Sequence, residues 1–258
     1  VGASAVSDGG GATAGDRGAA TALLVAAGSG ERLGADRPKA LLPVAGRPMY
    51  EWSLAAFAAS GRLERVVIAA PPGHRDEVAA AVAGPERGSA AAAGDGVAVE
   101  VVEGGATRAD SVRAALAQAE TEVVLVHDAA RPLVTPDLIV ALLDALAAAG
   151  PDIGGAIAAA PITDTVKRCE PAATGGPRIV ETLDRSRLWA AQTPQAFEAA
   201  TLRRAFEAAS DRAAATDDAA LVESLGLAVA VHPAPPGNFK VTTADDLRLA
   251  ELLLTAGR

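Results

Sequence analysis

The sequence predicts an α/β fold: a Rossmann-like, mostly parallel sheet covered by helices on both faces, with an inserted β-hairpin arm. Three observations carry this. Apolar strands alternate with helical patterns from residue 21 onward. The strands are near-continuous aliphatic runs, as strands buried on both faces are. One stretch, 161–194, breaks the alternation.

The first strand is expected at 21–26, Thr21-Ala-Leu-Leu-Val-Ala26, and it runs straight into Gly28. A helix follows at 48–60, then a strand at 65–70 that closes in Pro71-Pro72. After a helix at 74–83, residues 84–96 are mostly Gly, Ala and Ser and read as a surface loop. A strand at 97–102 leads through Gly104-Gly105 to a helix at 108–120, and a strand at 122–126 comes next. Thr135-Pro136-Asp137 opens the helix at 136–149 with a capping hydroxyl, a proline in the first turn and an acid. A strand at 153–160 precedes the interruption. There, Thr165-Val-Lys-Arg-Cys169 and Arg178-Ile-Val-Glu-Thr182 flank Pro171-Ala-Ala-Thr-Gly-Gly-Pro177, which reads as a hairpin arm at about 165–185. Helices at 196–209 and 217–225, a strand at 227–232 and a helix at 244–255 complete the pattern. The last helix starts at Thr243-Ala-Asp-Asp246, a capping box with Asp in place of Glu.

At 258 residues the chain is long enough for one large α/β domain or two small ones. Half of it is hydrophobic but only 3% is aromatic, so the core is built from small aliphatic side chains. The net charge of −9 argues against nucleic acid or an anionic membrane as a main partner. A small anionic ligand is not excluded, because residues 28–47 set Arg32, Arg37, Lys39 and Arg47 against Glu31 and Asp36. No apolar run reaches the roughly 18 residues needed to cross a bilayer. Residues 1–20 lack the apolar middle of a signal peptide and are expected to be a disordered tail. The single cysteine, Cys169, rules out an internal disulfide framework, which suits a cytoplasmic location, and reads as a structural or surface thiol.

Chemistry concentrates where strands end. Gly28, Gly30 and Gly34 let bare N–H groups approach an anion, and Arg32, Arg37 and Lys39 supply charge to neutralise phosphates. The stretch lacks the Gly-Lys-[Ser/Thr] of a P-loop, and Gly34 falls one residue late for the dinucleotide fingerprint. The strand at 122–126 ends in His127-Asp128-Ala-Ala-Arg131, at the carboxyl edge where open parallel sheets bind ligands. Asp128 suits a ligand hydroxyl or a divalent cation beside phosphates. Arg131 reads either as a ligand group or as a structural partner of Asp128, and His127 as a hydrogen-bonded structural residue rather than a base. Gly104-Gly105 allow close approach to a flat base whose edge Ser111 can bond. Lys240, flanked by apolar residues, is expected to point its charge at something specific.

Seven motifs then occur in one order. They are Ala26-Ala-Gly-Ser-Gly-Glu-Arg-Leu-Gly34 through Arg37-Pro-Lys39, Gly104-Gly-x-x-Arg-x-x-Ser111, His127-Asp-Ala-Ala-Arg-Pro132, Asp164-Thr-Val-Lys167, Gln192-Thr-Pro-Gln195, Thr216-Asp-Asp218 and Phe239-Lys-Val-Thr242. Together they resemble the 2-C-methyl-D-erythritol 4-phosphate cytidylyltransferase family, among the nucleotidyltransferases that make sugar- and polyol-nucleotides. The resemblance covers about residues 21–255 and implies one nucleotidyltransferase domain over 21–258. It implies attack of a polyol phosphate on the α-phosphate of CTP, with Mg²⁺ or another divalent cation accompanying the CTP. It also implies a homodimer formed through the arm. By resemblance, Arg32 and Lys39 hold the triphosphate, while Arg185 and Lys240 position the substrate phosphate. Ala26, Ala27, Gly28, Gly30, Gly105, Ser111, Asp128 and Ala129 line the nucleotide. Arg131, Thr165, Thr193 and Thr216 line the polyol phosphate, and Asp128 is the one candidate metal contact. Ala106 and Ala40 depart from the family's usual polar residues. Two rival readings remain: a cytidylyltransferase for ribitol 5-phosphate or another polyol phosphate, and a non-catalytic nucleotide-binding module.

Overall fold

The computed structural model describes residues 20–28, 37–84, 96–171, 174–209 and 216–257. The expected tail, most of the 84–96 loop, and Gly30 and Arg32 lie outside the described residues.

A seven-stranded sheet forms the centre. Its strands in chain order are β1 (Ala20–Val25), β4 (Leu63–Ala70), β5 (Ala98–Glu103), β6 (Val123–Asp128), β7 (Ile153–Pro161), β10 (Trp189–Glu198) and β11 (Ala228–Pro233). Two short hairpins lie outside it: β2 (Pro43–Val44) with β3 (Arg47–Pro48), and β8 (Lys167–Glu170) with β9 (Arg178–Thr182). The helices are α1 (Met49–Ser60), α2 (Arg75–Ala83), α3 (Arg108–Leu116), α4 (Pro136–Ala147), α5 (Ala199–Ala208), α6 (Asp218–Glu223) and α7 (Ala244–Thr255).

Across the sheet the order is β11-β7-β10-β6-β1-β4-β5. All pairs are parallel except those of β10, which runs antiparallel to β6 and β7. Alternate side chains of each strand feed two cores. Leu24, Ile68 and Leu125 meet Leu54 and Phe57 of α1 and Leu142 of α4 on one face. Leu23, Val67 and Val126 meet Val112 of α3, Leu202 of α5 and Val222 of α6 on the other. Apolar on both faces, the strands read as continuous runs, which is why the sequence revealed them.

One strand of the central sheet was not legible, nor was the short β2–β3 hairpin. The sequence pattern placed a helix over 196–209, whereas β10 continues to Glu198 and α5 starts only at Ala199. Pro194 argues against a central strand, because it donates no ladder hydrogen bond. The structure accommodates it in a break: β10 pairs with β7 up to Ala191 and again from Gln195, and its pairing with β6 begins at Gln195. Residues 192–194 therefore leave the ladder, and such bulges re-aim side chains.

The hairpin arm is present as β8 and β9, paired antiparallel and exposed along both strands. Cys169 sits on it as an exposed free thiol. Among the described residues, no helix is long and apolar enough to cross a membrane.

The local caps form as the sequence indicates. Thr135 Oγ1 accepts from Leu138 N at 3.3 Å, and Thr243 with Asp246 makes the full capping box of α7. Asp246 also accepts from Thr242 N and Oγ1, and these bonds, the Thr242 hydroxyl first, hold its carboxyl down to about 2. The carboxylate form thus stabilises the fold above its unfolded value of 3.8, and that contribution is lost as pH falls through about 2. Asp246→Asn is expected to cost about 1 kcal/mol at neutral pH. The difference from the parent should shrink as the parent's carboxyl protonates below 3.8. Urea midpoints of both proteins across that range check it.

Candidate active site

The site forms where β1 and β6 lie side by side, with β4 and β5 beyond β1. Val25 is in register with Asp128, and Ala129 N donates to Val25 O at 2.9 Å. Chain direction therefore brings Ala26, Ala27 and Gly28 beside Asp128 and Ala129. Ala26 and Ala129 are buried, while Gly28 is exposed.

The Gly104-Gly105 loop abuts this edge, with Gly104 N donating to Ala70 O at 2.9 Å. Both glycines are required by space. A Cβ on Gly104 would collide with Ala70 O and the Ala27 side chain, and one on Gly105 with Asp110. Ser111, expected to meet a base edge, is fully buried. Its Oγ accepts from Gly105 N at 3.0 Å and donates to Thr107 O at 2.9 Å. Its hydroxyl thus shapes the glycine loop, so the atoms this loop offers a ligand are mainly backbone groups.

A buried charge cluster occupies the end of β6. Asp128 Oδ1 accepts from Arg108 Nε at 2.9 Å, and Oδ2 from Lys240 Nζ at 2.6 Å. The Arg108 guanidinium also lies 2.8 Å from Asp218 Oδ2 on α6. Burial alone would push the Asp128 carboxyl up, but Arg108 and Lys240 overcome this and hold it well below the carboxylate range. Burial pushes Asp218 up, against the pull of Arg108. Lys240 points its charge at Asp128. Arg131 does not pair with the Asp128 side chain. Its Nη1 donates to Asn238 O at 2.8 Å, and Asn238 Nδ2 in turn donates to Thr193 O and Gln192 Oε1.

Lys39 heads a short 3₁₀ turn, Lys39–Leu41, and its Nζ donates to Val241 O at 2.9 Å. Val241 N donates to Ala130 O at 2.8 Å. The segment 238–241 thus ties the loop after β6 to the lysine after β1.

The fold therefore gathers Lys39, Asp128, Ala129, Arg131, Thr193 and Lys240. Thr216 is exposed, just before α6, where Gln195 Nε2 bonds Asp217 Oδ2 at 3.0 Å. Thr165 and Arg185 stay apart on the exposed arm, where Arg185 Nη1 donates to Thr163 O. Arg108, Asp218 and Asn238 are central, yet their motifs gave them no role. Their signal was membership of Gly104-Gly-x-x-Arg108, Thr216-Asp-Asp218 and Gly237-Asn238. Such strings do not say that one guanidinium bridges the end of β6 and the start of α6. Among the described residues, no group of three His, Cys, Asp or Glu could hold a metal ion.

This geometry suits a ligand with a flat base over the glycine loop and several phosphates between Lys39 and Lys240. The model of the family "IspD: 2-C-methyl-D-erythritol 4-phosphate cytidylyltransferase" matches residues 20–256. A "Bifunctional enzyme IspD/IspF" from Anaeromyxobacter dehalogenans is 46% identical over 235 residues, covering 91% of this chain and 56% of that enzyme. The chain therefore spans little more than half the length of that relative. A 2-C-methyl-D-erythritol 4-phosphate cytidylyltransferase from Streptomyces coelicolor is 45% identical over 244 residues, covering 92% of this chain and 85% of the relative. The crystal structure of the enzyme of that name from Thermus thermophilus superposes with a TM-score of 0.69 at 35% identity, covering 92% of this chain and 99% of the other.

Proposed function

The chain belongs to the 2-C-methyl-D-erythritol 4-phosphate cytidylyltransferase family, and we propose that it joins CTP to 2-C-methyl-D-erythritol 4-phosphate, releasing pyrophosphate. The observation that carries this is the Asp128 carboxylate clamped between Arg108 and Lys240, at the mouth of the β1–β6 crevice and beside the glycine loop. A non-catalytic module has no need to hold Lys39 and Lys240 together at that crevice.

In the reaction, a phosphate oxygen of the polyol phosphate forms a bond to the α-phosphorus of CTP as the bond to pyrophosphate breaks. The nucleophile is already anionic, so no general base is needed. The protein's task is to bring two anions together and to stabilise charge on the transferring phosphoryl group. Lys39 and Arg32 hold the triphosphate. Arg131, Thr216 and Lys240 face the polyol phosphate, with the buried Thr193 hydroxyl bonded behind them to Asp128 N and His127, and the backbone of Gly104-Gly105 receives the cytosine. A divalent cation arriving with CTP fits the donor set in one way. Magnesium is commonly bound by substrate phosphates and one or two carboxylates, and Asp128 is the carboxylate at hand. Arg108 and Lys240 each bond one of its oxygens, and a cation held at a remaining lone pair would neutralise charge on the triphosphate.

The arm completes a partner's site in this reading. Thr165 and Arg185 make no bond to the Asp128 cluster in the described structure, and the arm exposes Ile179 and Val180. Exchange of arms across a two-fold axis covers that surface and delivers both residues to the neighbouring subunit.

Pyrophosphate release from CTP with methylerythritol phosphate, set against ribitol 5-phosphate, tests the assignment. Faster turnover of ribitol phosphate would replace the polyol and keep the chemistry. CTP should also be preferred over UTP. Backbone carbonyls at Gly104-Gly105 accept from the cytosine amino group but face the uracil carbonyl, acceptor to acceptor. A buried mismatch of this kind costs about 1–3 kcal/mol, on the order of 10-fold to 100-fold in kcat/KM. Equal kcat/KM for the two nucleotides would count against this pocket.

A further inference from the structure

His127 is fully buried at the end of β6, and every polar atom around it has one available role. Asp128 N–H can only donate, so Thr193 Oγ1, at 3.0 Å, accepts from it. The Thr193 hydroxyl hydrogen is then free to point at His127 Nδ1, 3.1 Å away. On the far side of the ring, Nε2 lies 3.2 Å from Arg131 O, which can only accept. Nε2 therefore carries the hydrogen and Nδ1 is bare. A second hydrogen, on Nδ1, would face Thr193 Oγ1 and strand the hydroxyl hydrogen. The edge-on ring of Phe57, with centroids 5.6 Å apart, fixes the imidazole plane.

We infer that His127 is a positioning residue: as the neutral Nε2–H tautomer it spans the turn from Asp128 to Arg131 and locks both ends, through Thr193 and through the Arg131 carbonyl. Resting on the proposed function, this assigns His127 the geometry of the polyol-phosphate side. The same turn carries Asp128, which meets Lys240, and Arg131, which meets Asn238. The bulge at 192–194 is what brings Thr193 to the ring. Its hydroxyl is thus spent inside the protein rather than on the polyol.

Two measurements test this. In ¹⁵N-histidine-labelled wild-type protein near neutral pH, the His127 ring should show one protonated nitrogen, Nε2, and Thr193→Val should shift the Nδ1 signal and speed exchange of the Asp128 amide. A ring protonated at Nδ1, or signals indifferent to Thr193→Val, would overturn the inference even if the protein turned over no polyol phosphate. That last result would defeat the proposed function separately. In kinetics, His127→Phe keeps an aromatic ring, a somewhat larger one, and loses both bonds. It should raise the KM for the polyol phosphate about 10-fold to 100-fold and the KM for CTP by less. A merely structural role would lower the active fraction and melting temperature with both KM values intact, and that outcome refutes the proposal. Should His127→Phe fail to fold, two milder variants serve. His127→Gln keeps a donor for Arg131 O, and His127→Asn keeps an acceptor for Thr193. Each should recover part of the wild-type KM, and Thr193→Val added to His127→Gln should cost less than Thr193→Val alone, the remainder being the lost acceptor of Asp128 N. Fully additive losses would also refute it.

Discussion

Replacing Lys39 by alanine is expected to lower kcat on the order of 10²–10³, the effect of losing one charge-assisted contact to a transition state, about 3–4 kcal/mol. Stability should change far less. Lys39 is half-buried, its ammonium donates to Val241 O, and its loss deletes that hydrogen bond without opening a core cavity. A typical net hydrogen bond is worth about 1 kcal/mol. Activity and stability therefore separate by more than the uncertainty of either. Arg32→Ala is expected to behave alike, since the proposed function gives Arg32 and Lys39 the same triphosphate. Steady-state kinetics beside urea unfolding of each variant decides. Wild-type turnover in a folded Lys39→Ala protein would remove the phosphate-binding role and the assigned reaction with it.

The second large effect is recovery rather than loss. Arg185→Ala and Lys39→Ala are each expected to be nearly inactive alone, and mixing the two proteins is expected to restore activity. If Arg185 serves the neighbouring subunit, each mixed dimer has one site damaged twice and one intact. Random exchange then yields about a quarter of wild-type activity. If Arg185 serves its own subunit, both sites of every mixed dimer stay damaged and mixing restores nothing. The physical ground is the arm itself. A two-stranded hairpin is marginal alone in water. Here Ile179 is 58% exposed, and Trp189, where the chain returns to the sheet, is 42% exposed. These side chains gain by burial against a partner, at about 25 cal/mol per Å² covered. A monomeric mass by sedimentation at micromolar concentration would defeat the arrangement before any kinetics.

The sequence by itself determined the sheet, the helices over it and the ends where chemistry sits. Parallel strands buried on both faces must be continuously apolar, so β1, β4, β6 and β7 announced themselves. Caps are local, spanning three residues, so Thr135 and Thr243 were legible too. The glycine loops, Lys39, Asp128 and Lys240 stood out because their residue types were out of keeping with the aliphatic chain around them. Only the tertiary structure decided which of these groups meet. Asp128 joins Arg108 across 20 positions and Lys240 across 112, and His127 meets Thr193 across 66. Pairing at such separations is set by strand order and register, which a local pattern does not encode. Pro194 hid β10 for the same reason. A proline is tolerated in a central strand only where the ladder is already broken, and that break exists only once β6 and β7 flank it. The break turns Thr193 toward His127, and the close fit of Gly105 against Asp110 leaves the Ser111 hydroxyl bonded within its own loop. Both hydroxyls looked like ligand groups in the sequence, and the packing around them gave each a partner inside the protein.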